Sequence, residues 1–460
     1  MPFRFAGPSA DAIPIWFVTG QTSAAILQDI GDFAVRFAAA SGFEATAGKH
    51  LLMPNAAGGL RAAIFALDKA EARDSDPLAP GKLATLLPAG VYRFANAPHD
   101  TSLAALAFLL GQYRFTRYRA STKPSPELIA PVGVDAARIE TIAEAVAFGR
   151  DLVNTPANDL GPEALERAVV ELAESFGAPL RIVRGKDLLA ENFPLIHAVG
   201  RAAAEPPRLV EFSFGRIGAP KVTLVGKGVT FDTGGLDIKP ASGMEIMKKD
   251  MGGAATALSL ARMIMQAKID VRLRVLIPIV ENAISASAFR PGDVIKSRNG
   301  LTVEIGNTDA EGRLILADAL ALADEESPEI LLDFATLTGA ARVALGPDLP
   351  PFYTDDETLA TDIARHANSE RDPVWRMPLW RPYDAMIAGK VADISNAPGS
   401  PFAGSITAAL FLQRFVVNTR AWAHFDIYAW NPSPRAHGPE GGEVQAARAL
   451  FAMISARYGS

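Results

Sequence analysis

The chain has 460 residues, too many for one ordinary core, so two domains are expected. Hydrophobic residues make up 49% and charged residues 21%, as in an ordinary globular protein, and the formal net charge of −6 gives no support to a general nucleic-acid-binding role. There is no cysteine, which excludes disulfides, thiolate metal sites and a cysteine nucleophile.

The opening stretch Met1 to Val18 carries Pro2, Pro8, Asp11 and Pro14 and lacks the charged start and unbroken apolar run of a signal peptide. Within it, Ile13 to Val18 reads as a strand. Asp29 to Ala40 and Leu103 to Tyr113 read as helices. The basic stretch Arg114, Arg117, Arg119 and Lys123 reads as a solvated face. Ser121 to Val132 contains Pro124, Pro126 and Pro131 and reads as a linker. A helix is predicted from Asp135 to Val153, with Ile139, Ile142, Ala143, Val146 and Ala147 on one face, and a loop from Asn154 to Pro162.

Beyond this point strands and helices alternate. Val222–Val225, Val271–Val280 and Ile330–Phe334 read as strands, Met251–Lys268 and Arg313–Asp324 as helices. The uncharged stretch Ile394 to Gln413 is broken by Pro398, Gly399, Pro401 and Gly404, which argues against a membrane span. The expected fold is α/β: a smaller N-terminal α/β domain, residues 1–130, and a larger C-terminal α/β domain, 131–460. The larger one has a mainly parallel sheet covered by helices on both faces. A soluble, cytoplasmic protein is expected.

Three segments combine acids or bases with glycine beside an apolar element: Val225 to Lys239 (VGKGVTFDTGGLDIK), Lys249 to Ala255 (KDMGGAA) and Asn307 to Leu314 (NTDAEGRL). Taken singly, each has a structural reading: a turn at Lys227, a helix N-cap at Asp250, a solvated ion-paired face at Asp309, Glu311 and Arg313. Together they point to a site. The spacing by two predicts that an extended backbone directs Asp309, Glu311 and Arg313 the same way. Gly312 lets the chain turn into the next helix, and Asp232 is followed by glycines that allow close backbone approach. Converging carboxylates at Asp232, Asp250, Asp309 and Glu311 require compensating positive charge, which two divalent cations supply. Oxygen ligands with one lysine nitrogen suit Zn²⁺, Mn²⁺, Mg²⁺ or Co²⁺.

The segments GKGVTFDTGG, DMGGAA and NTDAEGRL resemble the signature of the leucyl aminopeptidase, or cytosol aminopeptidase, family. So do NTPAND at 154–159, RPGDV at 290–294, ATLTG at 335–339 and WAHFD at 422–426. The resemblance spans roughly residues 150 to 430. It implies a two-metal exopeptidase that hydrolyses the N-terminal residue of peptides with a metal-activated water. It implies that Asp232 and Glu311 bridge the metals and that Asp309 ligates the more exchangeable one. Lys227 and Asp250 would complete the tighter site, and Lys239 and Arg313 would be catalytic, with bicarbonate held at Arg313. It further implies that Met247, Thr336 and Gly339 line the pocket for the first side chain, which favours leucine or methionine over charged residues. A homohexamer follows from the same resemblance.

No HExxH pattern occurs, which excludes a thermolysin-type zinc site. His424, in the WAHFD segment, is expected to be structural, bonded to a backbone group or to Asp426. His50, His99, His197, His366 and His437 are isolated. A metal-dependent phosphoesterase and a DNA-binding protein are the rival readings. The combined motifs with a lysine ligand disfavour the first, and the acidic balance disfavours the second.

Overall fold

The computed structural model describes residues 3–70, 72, 75–120 and 124–459. The chain forms two compact units: Met1–Ala147 with Ser433–Glu440, and Phe148–Pro432 with Gly441–Ser460. The division falls inside the helix Ala136–Asn154. The expected boundary at residue 130 lies earlier, and the excursion of 433–440 into the first unit had no sequence signal.

In the first unit, strands β1 (Ile13–Val18), β2 (His50–Pro54), β3 (Leu60–Ala66), β4 (Gly90–Phe94) and β5 (Pro126–Leu128) form one sheet in the order β2-β3-β1-β4-β5. All neighbours are parallel except β2 and β3. The helix Thr101–Gly111 starts where the Asp100 carboxylate accepts from the Leu103 amide, and its residues 103–111 are all buried. The predicted helix Asp29–Ala40 is in fact two, Ser23–Ile30 and Asp32–Ala40. They are split at Gly31, whose φ of +117° no helix accommodates. The predicted linker contains β5; an edge strand tolerates the missing amide donor of Pro126. Ser121, Thr122 and Lys123, including one member of the basic stretch, lie outside the described residues. Arg114 turns back to donate to the carbonyls of Gly111 and Tyr113 at 2.9 and 2.6 Å.

The second unit is built on a nine-stranded mixed sheet. Its strands are β6 (Leu180–Arg184), β7 (Arg208–Phe214), β8 (Lys221–Gly226), β9 (Gly228–Asp232), β10 (Arg272–Asn282), β13 (Ile330–Ala335), β14 (Pro351–Tyr353), β15 (Trp375–Arg376) and β17 (Trp422–Asp426). The order is β15-β14-β17-β13-β8-β10-β7-β6, with β9 also on β10. The centre, β17-β13-β8-β10, is parallel, and antiparallel strands flank it. A small sheet of β11 (Val294–Lys296), β12 (Thr302–Glu304) and β16 (Ile394–Ser395), and a pair β18 (Trp430–Asn431) with β19 (Gly441–Gly442), complete the strands.

The connection from β8 to β10 runs through the helix Gly252–Gln266. The connection from β10 back past β8 to β13 runs through the helix Glu311–Asp324. Right-handed crossovers in opposite directions place these helices on opposite faces. Both helices are almost wholly buried, and every residue of β13 is buried between them. The strand order therefore reverses around β8. The carboxyl ends of the strands there carry Lys227 (after β8), Asp232 (β9), Asn282 (β10), Thr336 (after β13) and Asp426 (β17). Among the described residues, no helix is long and apolar enough to cross a membrane.

Candidate metal centre and active site

Lys227 leaves β8 with its backbone N–H on the carbonyl of Phe334 at 2.9 Å. Its side chain is buried, with Nζ 2.7 Å from Asp250 Oδ2 and 2.8 Å from Glu311 Oε1. It also donates to the Thr336 carbonyl at 3.2 Å. Gly312 makes this possible: a Cβ there would fall 2.6 Å from Lys227 Nζ. Lys239 Nζ lies 2.8 Å from Asp232 Oδ2 and also pairs with Asp309. Asp232 Oδ1 accepts from the Gly234 amide and from Asn282 Nδ2, both at 2.8 Å. Asp250 Oδ1 accepts from Thr336 Oγ1 at 2.7 Å.

The predicted carboxylates thus converge, although not as expected. Glu311 and Arg313 do not continue an extended strand; the helix already begins at Glu311, and Asp309 sits in the loop before it. Asp250 is not an N-cap. It lies in the 3₁₀ turn Met247–Met251, and its carboxylate points to Lys227 and Thr336. Arg313 is not on a solvated face. It is buried, donates from Nη1 to the Asn396 carbonyl at 2.7 Å, and leaves Nε without a hydrogen bond.

Charge is out of balance at this centre. Burial, then Asp232, raises the Glu311 carboxyl to about 8, against the pull of Lys227. Burial and Asp232 likewise raise Asp309 to about 6. Burial also raises Asp250, while the neighbouring ammonium groups of Lys239 and Lys227 overcome burial and lower Asp232. Burial opposes the charged form of Lys227, yet Asp250, Glu311 and Asp232 together hold its pKa well above the ordinary lysine value. Arg313 is drawn down to about 10 by burial, with Asp426 and Glu311 opposing.

The donor set fits divalent metal. Oxygens of Asp232, Asp309 and Glu311 lie within 4.8 Å of one another. Glu311 Oε2 is buried with no polar partner, and Glu311 Oε1 and Asp250 Oδ2 have only the Lys227 ammonium, at 2.8 and 2.7 Å. Carboxylates left in this state call for cations beyond the two lysines.

An open cavity of about 590 Å³ lies over the cluster. Lys227, Lys239, Asp250 and Arg313 line it, as do Met247, Thr336 and Gly339. Several residues that shape it carried no signal in the sequence. Asn282 ties Asp232 to the Thr308 carbonyl. Asn396 Oδ1 accepts from the Gly306 and Asn307 amides, fixing the loop before Asp309. Lys249 lines the cavity with Nζ 4.7 Å from the ring centre of Tyr428, and burial draws it down to about 8 although Asp250 opposes. Of these, only Lys249 falls inside one of the three segments that mark the site. His424 is fully buried and bonds through Nδ1 to Asp333 Oδ1 at 2.6 Å, not to Asp426. Asp426 instead accepts from the amides of Leu337 and Thr338.

A carboxylate cluster with paired lysines, at the carboxyl edge of a parallel sheet and under an open cavity, marks the class of metal-dependent hydrolases. Residues 147–451 match the cytosol aminopeptidase family, catalytic domain, and residues 13–131 match the M17 aminopeptidase N-terminal domain. The chain belongs to the cytosol aminopeptidase family, and is a hydrolase of the aminopeptidase type in a metal-dependent family. It is similar to the probable cytosol aminopeptidase of Roseiflexus castenholzii, 40% identical over 75% of this chain and 74% of that one. The probable cytosol aminopeptidase of Chlorobium limicola is 37% identical over 89% and 90%. Among solved structures, the cytosol aminopeptidase from Coxiella burnetii superposes with a TM-score of 0.94 at 43% identity, covering 99% of both chains. The bottromycin maturation enzyme BotP in complex with Mn gives 0.86 at 33% identity, covering 97% of this chain and 100% of that one. The family match extends well beyond the 150–430 span of the sequence motifs.

Proposed function

We propose that the enzyme removes the N-terminal residue of peptides, preferably an apolar, leucine-like one, with two divalent metal ions per subunit at the carboxylate cluster. The observation that carries this reading is Glu311: 1% exposed, with Oε2 lacking any polar partner and Oε1 only the Lys227 ammonium, grouped with Asp232 and Asp309. Asp232 and Glu311 are assigned to both metals, Asp309 to the more exchangeable one, and Lys227 with Asp250 to the tighter one. The metals, Zn²⁺ or Mn²⁺ with Mg²⁺ or Co²⁺ as alternatives, supply Lewis acidity and a water acidic enough to act as nucleophile near neutral pH.

The protein's own groups do the rest. Lys227 Nζ already lies between Asp250 and Glu311, so loss of a proton makes it a nitrogen donor beside them. Lys239 keeps its ammonium and stabilises the charge that develops on the scissile carbonyl oxygen. Arg313 has a free Nε, which suits a planar bicarbonate acting as general base. Met247, Thr336 and Gly339 form the pocket for the first side chain. Residues 131–460, apart from the loop 433–440, are assigned to the metallopeptidase domain and 1–130 to the N-terminal domain, and a cytoplasmic homohexamer is the proposed working state. The test is hydrolysis of leucyl-anilide by chelated enzyme, with and without added Mn²⁺ or Zn²⁺. Turnover restored by metal is expected; no turnover with either metal overturns the reading.

A further inference from the structure

We infer that Lys249, Arg342 and Tyr428 form an anion-accepting end of the first-residue pocket, so that peptides beginning with glutamate or aspartate are also substrates. This rests on the aminopeptidase reading and adds acidic residues to the apolar ones, leaving basic residues excluded.

Lys249 is 5% exposed and lines the cavity. Among the described residues its Nζ has no hydrogen bond or ion pair; its contact is the face of Tyr428 at 4.7 Å. The Arg342 guanidinium lies over the same ring at 5.3 Å, again without an ion pair. The Tyr428 hydroxyl donates to no group among the described residues. Arg342 and Tyr428 also line the cavity. Two cations and a hydroxyl therefore meet at one end of the cavity with no acceptor between them. The nearby carboxylates are committed elsewhere: Asp426 to Leu337, Thr338 and Ser405, Asp250 to Thr336 and Lys227. One ring face can hold one lysine as a packing device. Two like charges sharing a ring repel each other, and a bound anion relieves that repulsion.

Position selects the anion. Arg342 is three residues beyond Gly339 on the helix Gly339–Leu345, so the two share a face. Lys249 is two residues beyond Met247 in the turn Met247–Met251. The cationic end therefore continues the proposed side-chain pocket. Glutamate has methylenes to lay along Met247 and a carboxylate to reach the cations. A carboxylate could also come from the C-terminus of a dipeptide, and anilide substrates separate the two sources because they have none there.

The experiment compares kcat/KM for leucyl-, glutaminyl- and glutamyl-p-nitroanilide on the metal-loaded full-length enzyme, as wild type, Lys249→Met and Arg342→Gln. Wild type is expected to prefer glutamyl over glutaminyl, and each variant to lower that ratio about tenfold or more. If Lys249→Met does not fold, the exposed Arg342→Gln decides between the outcomes. A wild-type preference for glutaminyl, or a ratio unmoved by the variants, overturns the inference. With leucyl turnover intact it falls alone; with no turnover on any substrate the aminopeptidase reading falls with it. A preference found only for leucyl-glycine over leucyl-glycinamide assigns the cations to a C-terminal carboxylate and overturns the side-chain assignment.

Discussion

Asn282 donates from Nδ2 to Asp232 Oδ1 at 2.8 Å and to the Thr308 carbonyl at 3.1 Å, so one side chain at the end of β10 joins two segments of the carboxylate cluster. It holds the carboxylate without being proposed as a ligand. Asn282→Ala is expected to weaken metal affinity about 10- to 100-fold, with activity recovering at high metal concentration. Competition with a chromogenic chelator measures this, and an unchanged affinity removes Asn282 from any positioning role.

Glu311→Ala or Asp309→Ala is expected to abolish activity and lower the metal content found by elemental analysis. Each removes a negative charge and an oxygen donor from the same small volume. Full activity in Glu311→Ala is incompatible with the two-metal assignment.

The metal-free protein has a defined pH response. Glu311 is raised from 4.5 to about 8, chiefly by burial and then by Asp232. The folded state therefore holds a proton that the unfolded chain releases. This stabilisation is complete below 4.5 and is lost as pH rises through about 8. Asp309, raised to about 6, acts in the same direction over the lower part of the window. The melting temperature of chelated protein should fall across this range, and the increment given by added Mn²⁺ or Zn²⁺ should grow. A chelated melting temperature that climbs from pH 5 to pH 8 contradicts the assignment.

Acetylating the α-amine of a good peptide substrate is expected to eliminate turnover, because the amine is the group by which the site registers a chain end. Mass spectrometry of the products decides it: equal cleavage of free and acetylated peptides makes the enzyme something other than an aminopeptidase.

A Cβ at Gly339 would meet nothing within 4 Å, so Gly339→Leu should fold and place its bulk in open space. Leucyl substrates are expected to lose about 1 to 3 kcal/mol in kcat/KM, and alanyl substrates less. An unchanged ranking across a panel of aminoacyl-amides locates the pocket elsewhere.

What could be read in the sequence was what local pattern encodes. Ile13–Val18 is a strand with the predicted ends, because buried apolar residues mark it. The Asp309-x-Glu311-x-Arg313 spacing predicted an alternating strand, whereas a helix start brings Glu311 to Lys227. The partner of His424 was unreadable because it is set by register. Asp333 lies directly opposite it on the neighbouring strand, ninety-odd positions away in the chain. Asn282 and Asn396 each stand outside the sequence motifs, and only the tertiary fold shows that they organise the loops bearing Asp232 and Asp309.

The segment Ser433–Glu440 leaves the hairpin of β18 and β19 and belongs to the first unit. There it packs so tightly that a Cβ on Gly81 would fall 2.5 Å from the Ala436 carbonyl oxygen. The backbone thus passes between the units after Ala147, after Pro432 and after Glu440. A gene fragment beginning at residue 148 would still encode this loop while discarding the surface it fits. The units are spliced rather than strung, and a chimera that exchanges amino-terminal halves between relatives must exchange the loop as well.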